Sequence, residues 1–154
     1  MSNIKPVIEF IGYRVANIQY TCNPAFEFPD QNISFNFNFN KSFARLSSSE
    51  IQENIAVNVF FGSENDISNT PYKLAVEIAG RFTCNAEWQP QWEANAMAIL
   101  FPYLRAIVST VTSSSGREPI ILPTINIASL FKNDLSNRDL DDRGPMGPGS
   151  GNKE

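Results

Sequence analysis

The stretch ISFNFNFNKSF, Ile33 to Phe43, sets phenylalanine against asparagine at almost every second position. A period of two belongs to a β-strand, whose successive side chains point to opposite faces; an α-helix has no such period. The strand therefore carries one strongly apolar face and one face of neutral amides. Each phenylalanine withdrawn from water contributes roughly 1.5–3 kcal/mol, so the apolar face demands a cover.

Three further segments read as strands. YRVANIQYTC (Tyr13 to Cys22) comes first, with breaks at Asn23-Pro24 and Pro29-Asp30. The Phe/Asn strand is expected over Ile33 to Leu46. The polar loop SSSEIQE separates it from NIAVNVFFG (Asn54 to Gly62), and YKLAVEIAGRFTC (Tyr72 to Cys84) follows. Short connections between consecutive strands predict an antiparallel meander. In the last strand Leu74, Val76, Ile78 and Phe82 share one face, opposite Lys73, Ala75, Glu77 and Arg81.

The cover is expected from Gln91 to Ser115, where apolar residues from Trp92 to Val111 recur at helical spacing. Met97, Ala98 and Phe101 fall outside the stripe that spacing turns towards the sheet. Pro102 deletes a backbone donor inside the helix, which predicts a kink. A crossover holding Pro119 and Pro123 leads to a short helix near Ile127 to Lys132. From Asp134 onward, charges of both signs give way to Gly and Pro, the composition of a solvated tail. The expected fold is α+β, a four-stranded antiparallel meander sheet packed by one long and one short C-terminal helix. The folded domain is expected over 1–133 and the flexible tail over 134–154.

Composition excludes several functions. There are no histidines, which removes the commonest general base, the usual activator of Ser or Cys nucleophiles and most zinc sites. Cys22 and Cys84 lack metal or redox spacing and read as small buried thiols. Asp139, Asp141 and Asp142 cluster only in the expected tail, where nothing perturbs a carboxyl group. No enzyme activity, metal or cofactor is expected. A net charge of −4 without a basic stripe argues against nucleic acid. No signal peptide or membrane span is read, so a cytoplasmic location is expected without membrane insertion. What remains is apolar surface: one helix covers only part of a four-stranded sheet, so another subunit, a captured chain, or both must cover the rest.

Two segments carry a resemblance. ILFPYLR (Ile99 to Arg105) and PTINIASLF (Pro123 to Phe131) resemble the ILFPYAR and P-x-N-F-D-A-L-F segments of the protein-export chaperone SecB and its SecB-like relatives. AFEFP (Ala25 to Pro29) and AGRF (Ala79 to Phe82) resemble two weaker motifs of that family, and the likeness runs from about Arg14 to Lys132. It implies a homo-oligomer, a tetramer built as a dimer of dimers, that binds unfolded polypeptides in apolar grooves without ATP. The groove candidates are Phe35, Phe37 and Phe39 on the second strand, Ile120 and Leu122 on the crossover, and Leu130 and Phe131 on the last helix. Clients would be preproteins or, as in some SecB-like relatives, an antitoxin.

The family docks its export motor, SecA, on acidic sheet positions. Glu27 matches one of them, and Glu77 lies near another. Asn23 and Ala75 stand where the family has acidic residues, and Ala128 stands for the aspartate of F-D-A-L-F; losing two carboxylates weakens electrostatic docking. From a different class, an oligomeric adaptor of the same fold would bind one specific folded partner.

Overall fold

The computed structural model describes residues 7–27, 34–61, 70–85 and 87–123. Four strands, β1 (Ile8–Cys22), β2 (Phe35–Arg45), β3 (Glu50–Phe61) and β4 (Tyr72–Cys84), form one antiparallel sheet in the order β1-β4-β3-β2. A single long helix, α1 (Gln91–Ser114), packs on one face. The expected short helix near 127–132, the tail over 134–154, and Leu130 and Phe131 lie outside the described residues.

Only β2, β3 and β4 form the expected meander. β1 pairs with the far side of β4, from Ile8–Cys84 to Cys22–Tyr72, so both β1 and β2 are edge strands. The chain leaves β1 through an Asx-type turn in which the Asn23 side-chain oxygen accepts from the Ala25 N–H at 3.2 Å. The Asn23 N–H meanwhile donates to the Pro71 carbonyl at 2.9 Å.

β3 starts at Glu50, earlier than its sequence suggested, because Leu46 and Ser47 both donate to the Glu50 carbonyl and close a tight hairpin. Within β3, Ile51, Ile55, Val57 and Val59 are buried on one face, with Glu53 among them. Leu74, Val76, Ile78 and Phe82 of β4 join them as the sequence alternation required.

The buried stripe of α1 is Ala96, Met97, Leu100, Phe101, Leu104, Val108 and Thr112. Met97 and Phe101 therefore face the sheet, contrary to the sequence reading, while Tyr103 stays 38% exposed. The sheet is wider than the helix, so both flanks of α1 find partners. Phe101 reaches Phe39 of β2 at 6.2 Å between ring centroids, and Tyr103 meets Phe10 and Tyr13 of β1 at 5.5 and 4.6 Å. Pro102 stays inside the helix and is exposed on its outer side.

By length and composition alone α1 is long and apolar enough to cross a membrane, contrary to the sequence reading. Its buried stripe against the sheet accounts for part of that apolarity. Cys84 is buried, and burial raises its thiol pKa. Cys22 is exposed at the end of the edge strand, contrary to expectation.

After Gly116, which takes the left-handed conformation at φ 84°, the chain folds back along the helix. The buried Thr112 hydroxyl accepts from the Ile120 N–H at 2.8 Å, and the Ser109 hydroxyl donates to the Ile120 carbonyl at 2.8 Å. These two bonds fix the crossover against α1.

Candidate functional site

The inner face of β2 holds Phe35, Phe37, Phe39, Lys41 and Phe43, while Asn36, Asn38, Asn40 and Ser42 face outward. Phe35, Phe37 and Phe39 are half-buried, with β3 on one side and no further strand beyond β2 among the described residues. From Phe35 to Phe43 the row runs about 26 Å at the usual rise of an extended chain.

The two ends of the row differ. At one end Phe35 stacks on Tyr72 at 5.3 Å and meets Phe61 edge-on at 6.4 Å, with Phe26 of the crossing loop 6.1 Å from Phe61. Arg117 lies over the Tyr72 ring at 5.9 Å. Burial pushes the Tyr72 phenol up to about 12; Tyr20 adds to the rise and Arg117 opposes it, so the ring stays neutral. At the other end Phe43 stacks on Trp88 at 5.1 Å, and Trp88 meets Trp92 edge-on at 5.6 Å. Phe39 and Phe101 fill the middle. Aromatic faces and edges accept many apolar side chains without demanding one shape.

Ile120 is half-buried beside α1, with its backbone fixed as above. Leu122 is fully buried, which corrects its place among the surface candidates, whereas its neighbour Ile121 is 65% exposed. The alternation of the crossover places one side chain under the fold and the next outside it. Phe43, Trp88 and Phe26 were not among the candidates. Phe43 shares the parity of Phe35 and was legible from spacing, but the two partners come from loops with no periodic signal.

Lys41 breaks the row. Its ammonium sits 2.8 Å from the Glu93 carboxylate at the start of α1, with both side chains largely buried. Glu53, from β3, is fully buried next to them. Burial pushes its pKa up to about 9, Glu93 adds to the rise, and Lys41 offsets part of it.

The opposite face of the sheet is amide-rich. Asn38 pairs in register with Asn58, and Asn54 donates to Glu77 at 3.0 Å. Glu77 lies mid-strand opposite Asn17, whereas Glu27 is exposed beyond the Cys22–Tyr72 end of that ladder. The structure records no contact between them. Arg14, Lys73 and Arg81 balance Glu9, Glu50 and Glu77 on this face, and Arg81 pairs with Glu50. Among the described residues no group of His, Cys, Asp and Glu is placed to hold a metal.

Comparison with known proteins converges on one family. The family model for preprotein translocase subunit SecB matches residues 17–138. An uncharacterized protein of Methanocaldococcus jannaschii is 33% identical over 134 residues, spanning 84% of this chain and 85% of that one. The protein-export protein SecB of Roseobacter denitrificans is 27% identical over 114 residues, covering 71% of this chain and 66% of its own. Among solved structures, a SecB-like chaperone of Mycobacterium tuberculosis, in complex with a ChAD peptide from the HigA1 antitoxin, superposes with a TM-score of 0.61. It is 20% identical and covers 77% of this chain and 91% of that one.

Proposed function

Because the chain belongs to the SecB family of non-enzymatic chaperones, we propose that it is an ATP-independent holdase that captures extended apolar segments along the inner face of β2. The observation that carries this reading is the half-buried row of Phe35, Phe37 and Phe39 on a strand that is an edge among the described residues, where α1 meets the row at Phe39 through Phe101. Client side chains would enter between these rings and Ile120, with Leu122 packed beneath and Leu130 and Phe131 as further candidates. Client backbone would pair with the free edge of β2, as extended peptides do on exposed strands.

The remaining apolar surface supports assembly. Ile11, Val15 and Ile18 of the other edge strand, and Val7 just before it, are all more than 40% exposed. Burying them between copies suits a homodimer joined edge to edge, and a tetramer as a dimer of dimers. The proposed location is the cytoplasm, and the 134–154 segment is proposed as a flexible tail.

An antitoxin fits as client better than export through SecA does. The outer face is charge-balanced, Asn23 is engaged in its own turn and Ala75 carries no charge, so acidic docking there has little to act through. Glu27 and Glu77 are its remaining candidates.

Phe37→Asp tests the groove. The variant is expected to keep its oligomeric state by light scattering and to lose at least about tenfold in affinity for an unfolded client, since a buried contact worth about 1.4 kcal/mol or more is lost. Unchanged protection of an aggregating substrate would remove Phe37 from the groove. Binding to several unrelated unfolded chains supports the holdase; binding to one folded protein alone supports an adaptor.

A further inference from the structure

The break in the aromatic row is a cluster of charges where none would be expected. Lys41, on the inner face of β2, replaces what the alternation would make another aromatic residue. It meets Glu93 in the first turn of α1 at 2.8 Å. Glu53 sits on β3 beside them and is wholly cut off from water, with neither carboxyl oxygen hydrogen-bonded. An ionised Glu53 there would be an unsolvated anion next to a second carboxylate. A protonated Glu53 has an O–H to turn towards Glu93, and the three groups then carry no net charge.

This cluster sits at the start of α1. The helix begins at Pro90, which offers no side-chain cap. Its first turn is joined to β2 by the Lys41–Glu93 pair, and the loop before it by the Phe43–Trp88 stack.

We propose that Lys41, Glu53 and Glu93 form a proton-dependent clasp holding the start of α1 on β2, and that loss of the Glu53 proton opens this end and bares the half-buried Trp88 and Trp92. Three elements pack against Glu53. β2 presents Lys41 and, beyond Phe43, Arg45, which is engaged by the Ser47 and Ser48 carbonyls. α1 presents Glu93. β4 presents Gly80 opposite Glu53, between Ile78 and Phe82, and then the buried Cys84 thiol. Glu53 is the group whose proton decides the charge of the cluster.

The opened end would lengthen the aromatic row by a tryptophan pair. The clasp does not depend on the proposed function, because its readout needs no client.

Both tryptophans of the chain lie at this end, so the full-length protein reports on itself. Raising the pH from 7 is expected to red-shift the tryptophan emission and increase its quenching by acrylamide, with the midpoint near pH 9. Far-ultraviolet circular dichroism should keep its sheet signal throughout. Glu53→Gln is expected to abolish the shift, and Glu50→Gln, on the outer face, to leave it intact. Emission that stays flat to pH 10, or shifts equally in Glu53→Gln, overturns the clasp. If Glu53→Gln does not fold, carboxyl carbon-13 NMR of the unmodified protein decides instead. A glutamate titrating well above neutrality is expected, and ordinary titration of every glutamate overturns the proposal.

Discussion

Lys41 occupies a position where spacing alone would have predicted another aromatic residue, and the reason lies on two other elements. The sequence alternation had already put Lys41 on the phenylalanine face. It was silent about Glu53, which fell in a segment read as a loop, and about Glu93, which the helical stripe left unassigned. Spacing along one segment identifies a face; it does not identify the partner that comes to meet it.

The buried carboxyl has a thermodynamic consequence with a definite sign. Glu53 has an ordinary carboxyl pKa near 4.5 in the unfolded chain and about 9 in the folded one, so between those values the native state binds the extra proton. Its contribution to stability is full below about pH 4.5 and is lost as pH rises towards 9. Glu53→Gln removes that dependence. The stability of the variant relative to the parent is expected to rise by about 2–3 kcal/mol between pH 6 and pH 8, since one pKa unit corresponds to about 1.4 kcal/mol. Urea unfolding at the two pH values measures it, and a constant difference would show that Glu53 is not protonated in the fold.

At the scale of elements, the strands and the long helix were legible because each carries an unbroken period. Tyr72–Cys84 was read to the residue, and Gln91–Ser114 to within one. The place of β1 was not legible. Consecutive strands usually lie side by side, but β1 passes over β3 and β2 to pair with β4, and no local signal encodes which edge a strand joins.

The contact between sheet and helix was hidden for a different reason. Gly80, inside AGRF, faces α1 from β4, and a Cβ there would overlap the Leu100 side chain. Leu100 is itself fully buried, so any shift of its side chain presses on its core neighbours. Gly80→Ala is therefore expected to cost about 1–3 kcal/mol through overpacking. Gly12→Ala is the control: on the outer face of β1 its Cβ meets nothing within 4 Å, and its effect should stay within about 0.5 kcal/mol. Equal effects of the two on the urea midpoint would mean that α1 does not bear on the sheet at Gly80.

For the whole molecule, the distribution of charge separates two ways of working. The chain carries a net −4, but the outer sheet face is balanced between Arg14, Lys73, Arg81 and Glu9, Glu50, Glu77. The aromatic row is built of neutral rings, with the Arg117 guanidinium over Tyr72 at one end. The Lys41–Glu93 pair in its path is internally compensated. Capture that depends on phenylalanine and tyrosine surfaces should therefore ignore screening. Raising sodium chloride from about 0.1 M to about 1 M shortens the Debye length from about 10 Å to about 3 Å. The Kd for an unfolded, basic client, measured by fluorescence anisotropy, is expected to change less than about threefold, because the transferred surface is apolar. A protein that instead recruited partners through an acidic sheet face would weaken steeply over the same range, since both attraction and encounter rate depend on unscreened charge. A loss of more than about tenfold would place binding on the outer face around Glu27 and Glu77, and the row along β2 would then be the surface by which copies of the chain assemble.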